Sequence, residues 1–219
     1  MSTLIRRGRR PRLADVCCCQ GGASTGYHRA GFDVTGIDIT PQPRYPYPFI
    51  LADAVAFILA CGAGFDLLHV SPPCQAHTNA QRIQGRTHPD LIAPVRHALT
   101  TIGVPYVIEN VPGAPLHDPV TLCGAMFGLR TYRHRLFETN WHLTTPEHPA
   151  HTAPNAKMGR PVADGQFMHI VGNFSNVPLA RTVMDMPWAS RDGLREAIPP
   201  AYTHWIGTQH LSLQRSAAA

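Results

Sequence analysis

Residues 13–26 read LADVCCCQGGASTG, and this stretch decides the fold. An apolar run from Leu13 to Cys18 leads into a turn with Gly21 and Gly22, and a helical pattern continues to a stop at Gly31. A strand, a glycine turn and a helix in this order let a ligand approach the backbone amides at the start of the helix. The same glycines are also compatible with a simple tight turn. The full GxGxxG spacing is missing, which disfavours an NAD-dependent dehydrogenase.

Strands and helices continue to alternate up to about residue 138. Strands are predicted to end at Asp38, near Asp53, at Val70 and at Ile108, with a helix over Pro89 to Thr101. Alternation at this spacing predicts an α/β fold with a doubly wound, mostly parallel sheet.

The chain divides into four predicted parts. Residues 1–12 form a basic arm that is expected to be flexible, and residues 13–138 form the α/β domain that binds cofactor and carries the chemistry. Residues 139–190 are rich in Pro, His and Thr with little periodicity, which predicts a small irregular lobe. Residues 191–219 contain two helical segments, divided by Pro199 and Pro200, that are expected to return to the α/β domain.

Composition limits the class of protein. The 219 residues fit one domain with a small lobe, and no apolar stretch approaches the roughly 20 residues of a membrane helix. No apolar segment follows the arginine-rich start, so a cytoplasmic protein with reduced cysteines is expected, and no membrane partner. The net charge of +5 permits a polyanionic partner. Five arginines in the arm either follow a phosphate backbone or form a solvated tail.

Chemically capable side chains follow several strands. Cys74 comes directly after the fourth strand in the run SPPCQ, and Glu109 and Asn110 are predicted in the loop after the fifth. The carboxyl ends of parallel strands share one crevice, so these groups are expected to converge, although Cys74 alone is equally compatible with a buried hydrophobe. Arg133 and Arg135 alternate on a predicted strand, which would place both guanidinium groups on one face.

No metal is expected. The 13 histidines are scattered, and none has the paired spacing of a metalloprotease helix. Cys74 and His77 have a metal-like spacing, but two further ligands at suitable spacing are missing.

These residues together resemble the DNA cytosine C5-methyltransferases. The matching segments occur in the order of the family and cover most of the chain outside the arm and residues 139–190. They are the opening cofactor motif at Asp15–Phe32, the nucleophile loop at Ser71–Gln75, the ENV motif at Glu109–Val111, the end of the QxRxR motif at Arg133–Arg135, and the last motif at Glu196–Tyr202 with Ile206 and Gly207. Each segment is unspecific alone, but their combination is specific.

The resemblance implies transfer of a methyl group from S-adenosylmethionine to C5 of cytosine in duplex or single-stranded DNA. Cys74 would add to C6 of the base, Glu109 would protonate N3 with a raised pKa, Asn110 would buttress the loop, and Arg135, with Arg133 beside it, would hold O2. The methionine part would meet amides near Cys19, the ribose Asp38 and the adenine Asp53. The complete implied cofactor set is Asp15, Cys17, Cys19, Gly21, Gly22, Asp38, Ile39, Asp53, Pro72 and Pro199.

Several departures from the family leave alternatives open. Cys17 and Cys19 stand where the family has phenylalanine and glycine, His77 replaces an aromatic residue, and Thr131 replaces glutamine. The short lobe offers little surface for flipping a base out of a duplex. It favours short recognition sequences, a second subunit or a substrate other than a duplex, such as single-stranded nucleic acid or a free cytosine nucleotide. A catalytically silent nucleic-acid-binding homologue is a further alternative. Such a compact enzyme suits DNA modification, including restriction-modification, by a phage or mobile element.

Overall fold

The computed structural model describes residues 9–73 and 90–217. Within these ranges, the strands are β1 (Arg12–Val16), β2 (Asp33–Asp38), β3 (Phe49–Leu51), β4 (Leu67–Val70), β5 (Tyr106–Asn110), β6 (Val120–Leu122) and β7 (Arg135–Thr139). The α-helices are α1 (Gly22–Ala30), α2 (Ala54–Cys61), α3 (Ile92–Ile102), α4 (Val177–Met184), α5 (Arg191–Glu196) and α6 (Pro200–Ala217). No helix in these ranges combines the length and the apolar character needed to cross a membrane.

The strands form one sheet in the order β3-β2-β1-β4-β5-β7-β6. Neighbours from β3 to β5 pair in parallel, whereas β7 is antiparallel to both β5 and β6. The predicted doubly wound, mostly parallel sheet is confirmed. The chain leaves β1 toward β2 and β3 and then returns to β4 on the other side of β1. The direction of strand order therefore reverses between β1 and β4, where sheets of this kind bind ligands.

Alternation along the strands decides which side chains reach the site. One face of the sheet packs on α1 and α6 through Leu13, Leu67 and Val107, and the other packs on α2 and α3 through Ala14, Leu68 and Ile108. Residues two apart on a strand share a face. Polar side chains therefore point to the α1 and α6 side at the carboxyl ends of β1, β4 and β5, namely Asp15, His69 and Glu109.

Helix α6 lies in close backbone contact with α1. A Cβ atom at Gly26 would lie 2.0 Å from Thr203 Oγ1 and 2.1 Å from the Pro200 carbonyl oxygen, so only glycine permits this approach. The Thr203 hydroxyl donates a hydrogen bond of 2.8 Å to the Ala23 carbonyl. The C-terminal segment is thus fixed beside the glycine turn.

Three sequence predictions about local structure are wrong. Glu109 and Asn110 are the last two residues of β5 rather than part of the following loop. Arg133 precedes β7 and has a left-handed backbone with φ of 34°, so it shares no strand face with Arg135. Helix α4 lies in the region predicted to be irregular, although Asn176 caps it and Pro178 lies in its first turn, both of which are helix-start signals.

The end of the basic arm is held by the domain. Arg9 and the backbone N–H of Arg12 both bind the Asp66 carboxylate, at 2.9 and 2.7 Å. Arg10 donates to the carbonyls of Gly31 and His28 at the end of α1. The prediction of a flexible arm over residues 1–12 is therefore wrong for residues 9–12, and residues 1–8 lie outside the described ranges.

Candidate functional site

A cavity of about 310 Å³ opens at the carboxyl ends of the parallel strands. Its wall combines the glycine turn, the end of β2, the start of α2, the loop after β4, the end of β5 and residues 195–198. It brings together many of the residues singled out from the sequence: Asp15, Cys17, Cys19, Gly22, Asp38, Ile39, Asp53, Pro72, Glu109 and Arg135. The predicted crevice therefore exists.

Other predicted site residues do not line this cavity. Gly21 precedes α1 with a left-handed φ of 80° and packs beneath Tyr45. Pro199 is buried, and its carbonyl accepts the Tyr202 N–H at the start of α6. Asn110 and Arg133 are also absent from the wall. Cys74, the predicted nucleophile, and His77 lie outside the described residues.

The three consecutive cysteines form part of the cavity wall. Cys17 and Cys19 have φ values of 60° and 44°, in the left-handed region that glycine adopts without strain. The glycine that the family has at position 19 fits this backbone. Burial raises the pKa of Cys17 to about 12 and raises the pKa values of Cys18 and Cys19. These thiols are therefore neutral near pH 7. They fill space in the cavity wall and do not act as nucleophiles.

Two carboxylates at the cavity wall also organise its backbone. Asp38 accepts hydrogen bonds from the Cys19 N–H at 3.1 Å and from the N–H and hydroxyl of Thr40 at 3.0 Å each. Asp53 caps α2 by accepting the Ala56 N–H at 2.9 Å. Each carboxylate oxygen has two lone pairs, so both groups can still accept bonds from hydroxyl or amino groups of a ligand.

Asp15 is a buried carboxyl group at the bottom of the cavity. Its Oδ2 accepts a hydrogen bond from Ser24, whereas Oδ1 has no hydrogen-bond partner among the described residues. The pKa of Asp15 is raised to about 7, mainly by burial and to a smaller extent by the nearby Asp38 and Glu109 carboxylates. The unsatisfied oxygen marks a position where a donor group of a ligand would be favourable.

Replacing Asp15 with asparagine is expected to make stability less dependent on pH. The folded-state pKa of Asp15 lies above its ordinary value of 3.8, so the stability of the wild-type chain falls as pH rises through about 4 to 7. Asparagine cannot ionise. The variant should gain about 3 kcal/mol in free energy of unfolding relative to wild type between pH 5 and pH 8. Urea unfolding at both pH values measures this, with the exposed Asp164→Asn as control. An equal difference between variant and wild type at the two pH values would contradict it.

Glu109 and Arg135 form an ion pair at the opposite side of the cavity. Arg135 Nε lies 3.0 Å from Glu109 Oε1, and the side chains are only 14% and 7% exposed. Burial raises the pKa of Glu109, while Arg135, Arg133 and a hydrogen bond from Ser71 act in the opposite direction without reversing it. The raised pKa agrees with the expectation from the sequence.

A buried hydrogen-bonded chain behind Glu109 was missed by the sequence analysis. The ring of His69 contacts the Tyr27 hydroxyl through Nδ1 and the Ser71 hydroxyl through Nε2, each at 3.0 Å. Burial lowers the pKa of His69 to about 3, so the ring is neutral. The chain positions Ser71, which in turn binds Glu109. A histidine inside the apolar strand β4 was the available signal.

Asn110 and Arg133 act on the backbone around the site. Asn110 Nδ2 donates to the Pro72 carbonyl at 3.0 Å, two residues before Cys74 in the sequence. Arg133 donates to three carbonyls at 2.7 to 2.8 Å, those of Ile170, Arg195 and Ala197. Its guanidinium therefore joins the lobe to the C-terminal segment.

Comparison with known proteins finds that this chain is similar to several of them in three-dimensional structure. Scans against family models and curated proteins give no match. A DNA modification methyltransferase encoded within a prophage (E. coli) superposes with a TM-score of 0.65 at 15% identity, covering 94% of this chain and 99% of that chain. The S. pombe Dnmt2 methyltransferase gives 0.60 at 13% identity, with the same coverages. The Entamoeba histolytica methyltransferase EhMeth gives 0.54 at 11% identity, covering 96% and 99%.

These neighbours match nearly the full chain, so the likeness includes the lobe and the C-terminal helices as well as the sheet. At these identities the likeness shows the fold. The chain has the fold of these methyltransferases, as the sequence predicted.

Proposed function

We propose that this chain is an S-adenosylmethionine-dependent methyltransferase that acts on C5 of cytosine in DNA through a covalent Cys74 adduct. One observation carries the proposal: a single cavity is lined both by the glycine turn with Asp38 and Asp53 and by Glu109 and Arg135. Pro73, which immediately precedes Cys74 in the sequence, also lines it. Group transfer requires donor and acceptor sites side by side, and this arrangement supports it.

The residues present fit S-adenosylmethionine. Asp38 and Asp53 offer acceptors for ribose hydroxyls and for the adenine amino group, and Asp15 carries an unsatisfied oxygen beside the glycine turn. The cavity has the volume of a small-molecule site. When bound, this cofactor supplies an electrophilic methyl group.

The described residues suit the acceptor chemistry. Addition of the Cys74 thiolate to C6 forms an S–C6 bond and moves electron density toward N3 and C5. Glu109, whose pKa is raised by burial, donates its proton to N3, and Arg135 stabilises the charge at O2. C5 is then nucleophilic. Once C5 carries the methyl group, a base takes the C5 proton, the S–C6 bond breaks and N3 returns its proton to Glu109, which restores the aromatic ring and the Cys74 thiolate.

DNA is proposed over a free nucleotide because of the net charge of +5 and the DNA modification enzyme among the structural neighbours. The small size of the lobe at residues 139–190 favours the alternative, a single strand or a mononucleotide.

Methyl transfer from tritiated S-adenosylmethionine is expected to label duplex DNA and to leave dCMP unlabelled. Digestion of the product to nucleosides should place the label in 5-methylcytosine. Three parallel reactions with duplex DNA, the same sequence as a single strand, and dCMP measure the substrate class. Label in dCMP alone would overturn the DNA proposal while retaining C5 chemistry, and label in adenine would overturn both.

A further inference from the structure

Four metal-ligating side chains meet at the edge of the sheet beyond β7. Cys123 directly follows β6, His134 directly precedes β7, and His148 and His151 come from the segment after β7. The sulfur and one ring nitrogen of each histidine all lie within 4.8 Å of one another. Three separate segments of the chain contribute to the cluster, so tertiary structure creates it.

The closest distances match tetrahedral coordination. Cys123 Sγ lies 3.4 Å from His151 Nε2, and His134 Nε2 lies 3.3 Å from His148 Nε2. Around one zinc ion, two nitrogen ligands lie about 3.3 Å apart and a nitrogen and a sulfur about 3.6 Å apart. The other pairs lie no more than 4.8 Å apart, so they contract by at most about 1.5 Å to complete a tetrahedron.

The surroundings hold these ligands in place. The buried sulfur of Cys123 accepts hydrogen bonds from the backbone N–H groups of Ala125 and Met126, which fix its position. Burial raises the pKa of this thiol, and the two hydrogen bonds act in the opposite direction. The ring of His151 stacks on Tyr132 with centroids 3.6 Å apart. The Tyr132 hydroxyl is fixed in turn by the Ala153 carbonyl at 2.7 Å.

We propose that Cys123, His134, His148 and His151 bind one structural zinc ion. Thiolate and imidazole donors select zinc over magnesium or calcium, and four protein ligands leave no open position for substrate. On binding, the Cys123 thiol loses its proton to solvent and the three imidazoles bind as neutral rings. The ion joins the first part of the lobe to His134, the residue before Arg135. It therefore stabilises the start of β7, the strand that carries Arg135.

The site departs from the expectation of no metal. Cys74 and His77 have a metal-like spacing, but His148 and His151 are likewise separated by two residues. Their partners lie in other segments, which spacing along the chain does not reveal.

Zinc content of the purified full-length chain tests the proposal. Elemental analysis is expected to find about one zinc per wild-type chain and a loss of most of it in His148→Ala/His151→Ala. Both histidines are exposed, so this variant should fold. His142→Ala, an exposed histidine of the same segment, should retain the metal. Chelation should lower the wild-type melting temperature by about 5 °C or more and leave the double variant unchanged.

Cobalt(II) added to the metal-free chain reports the ligands directly. A sulfur-to-cobalt charge-transfer band with intense visible bands of tetrahedral cobalt is expected, and it should disappear in Cys123→Ser but persist in Cys61→Ser. Wild-type protein without zinc and without this spectrum would overturn the proposal. Metal retained equally by wild type and the double-histidine variant would do the same, because it would then be bound elsewhere.

Discussion

Replacing Cys74 with serine is expected to lower methyl transfer by at least about 1,000-fold, because a hydroxyl does not form the anion that adds to C6 at neutral pH. Binding of S-adenosylmethionine should change little, since the glycine turn, Asp38 and Asp53 are untouched. Single-turnover transfer of a tritiated methyl group measures the first effect, and equilibrium dialysis measures the second. Duplex DNA containing 5-fluorocytosine should trap a covalent complex with wild type and none with the variant.

Cys61→Ser is the matched control for this experiment. Cys61 is an exposed free thiol at the end of α2, outside the cavity wall. Its replacement should leave both transfer and trapping intact. Transfer by Cys74→Ser within tenfold of wild type would exclude Cys74 as the nucleophile. A wild-type chain that binds cofactor and DNA but traps no complex would favour the catalytically silent homologue.

The sheet could be predicted because its information is local. Apolar runs end at glycines, prolines or acidic residues near Val16, Asp38 and Val70, and parallel strands with helices between them have few topologies. The same signals placed Asp38 at the end of a strand and Glu109 directly after one, and the cavity brings these two together with Asp15. Chemically capable side chains at the ends of strands can therefore be identified from the sequence when the strands themselves can.

Features that depend on distant contacts could not be predicted. Arg133 leaves the strand pattern because its guanidinium binds three carbonyls from residues 170–197, and nothing near it in the sequence indicates them. His69 looked like part of an apolar strand, but its ring joins Tyr27 to Ser71. The lobe has a small core of its own, which includes Met168, Phe174 and Met184. Such residues show no period because they lie mostly in irregular chain.

Glu109 links the buried chain to the chemistry, and its protonation state should control the rate. Burial raises the pKa of Glu109, so the protonated fraction at a given pH is larger than for an exposed glutamate. In the proposed mechanism, the active form is the one with Glu109 protonated. Activity is therefore expected to fall as pH rises through the raised pKa of Glu109, while the acidic side of the profile is set by ionisation of the nucleophile.

Replacing Glu109 with glutamine is expected to lower kcat/KM by about 100- to 10,000-fold, because an amide N–H can donate a hydrogen bond to N3 but is too weakly acidic to transfer its proton. The alkaline decline should also vanish. Arg135→Gln removes a cation that lowers the Glu109 pKa, so the alkaline limb of its weaker activity should move to higher pH. Glu147→Gln, at an exposed position, should keep the wild-type profile. Single-turnover rates between pH 5 and pH 10, measured for the wild type and the three variants, test these expectations. An alkaline limb that persists in Glu109→Gln would assign that titration to another group and exclude Glu109 as the acid.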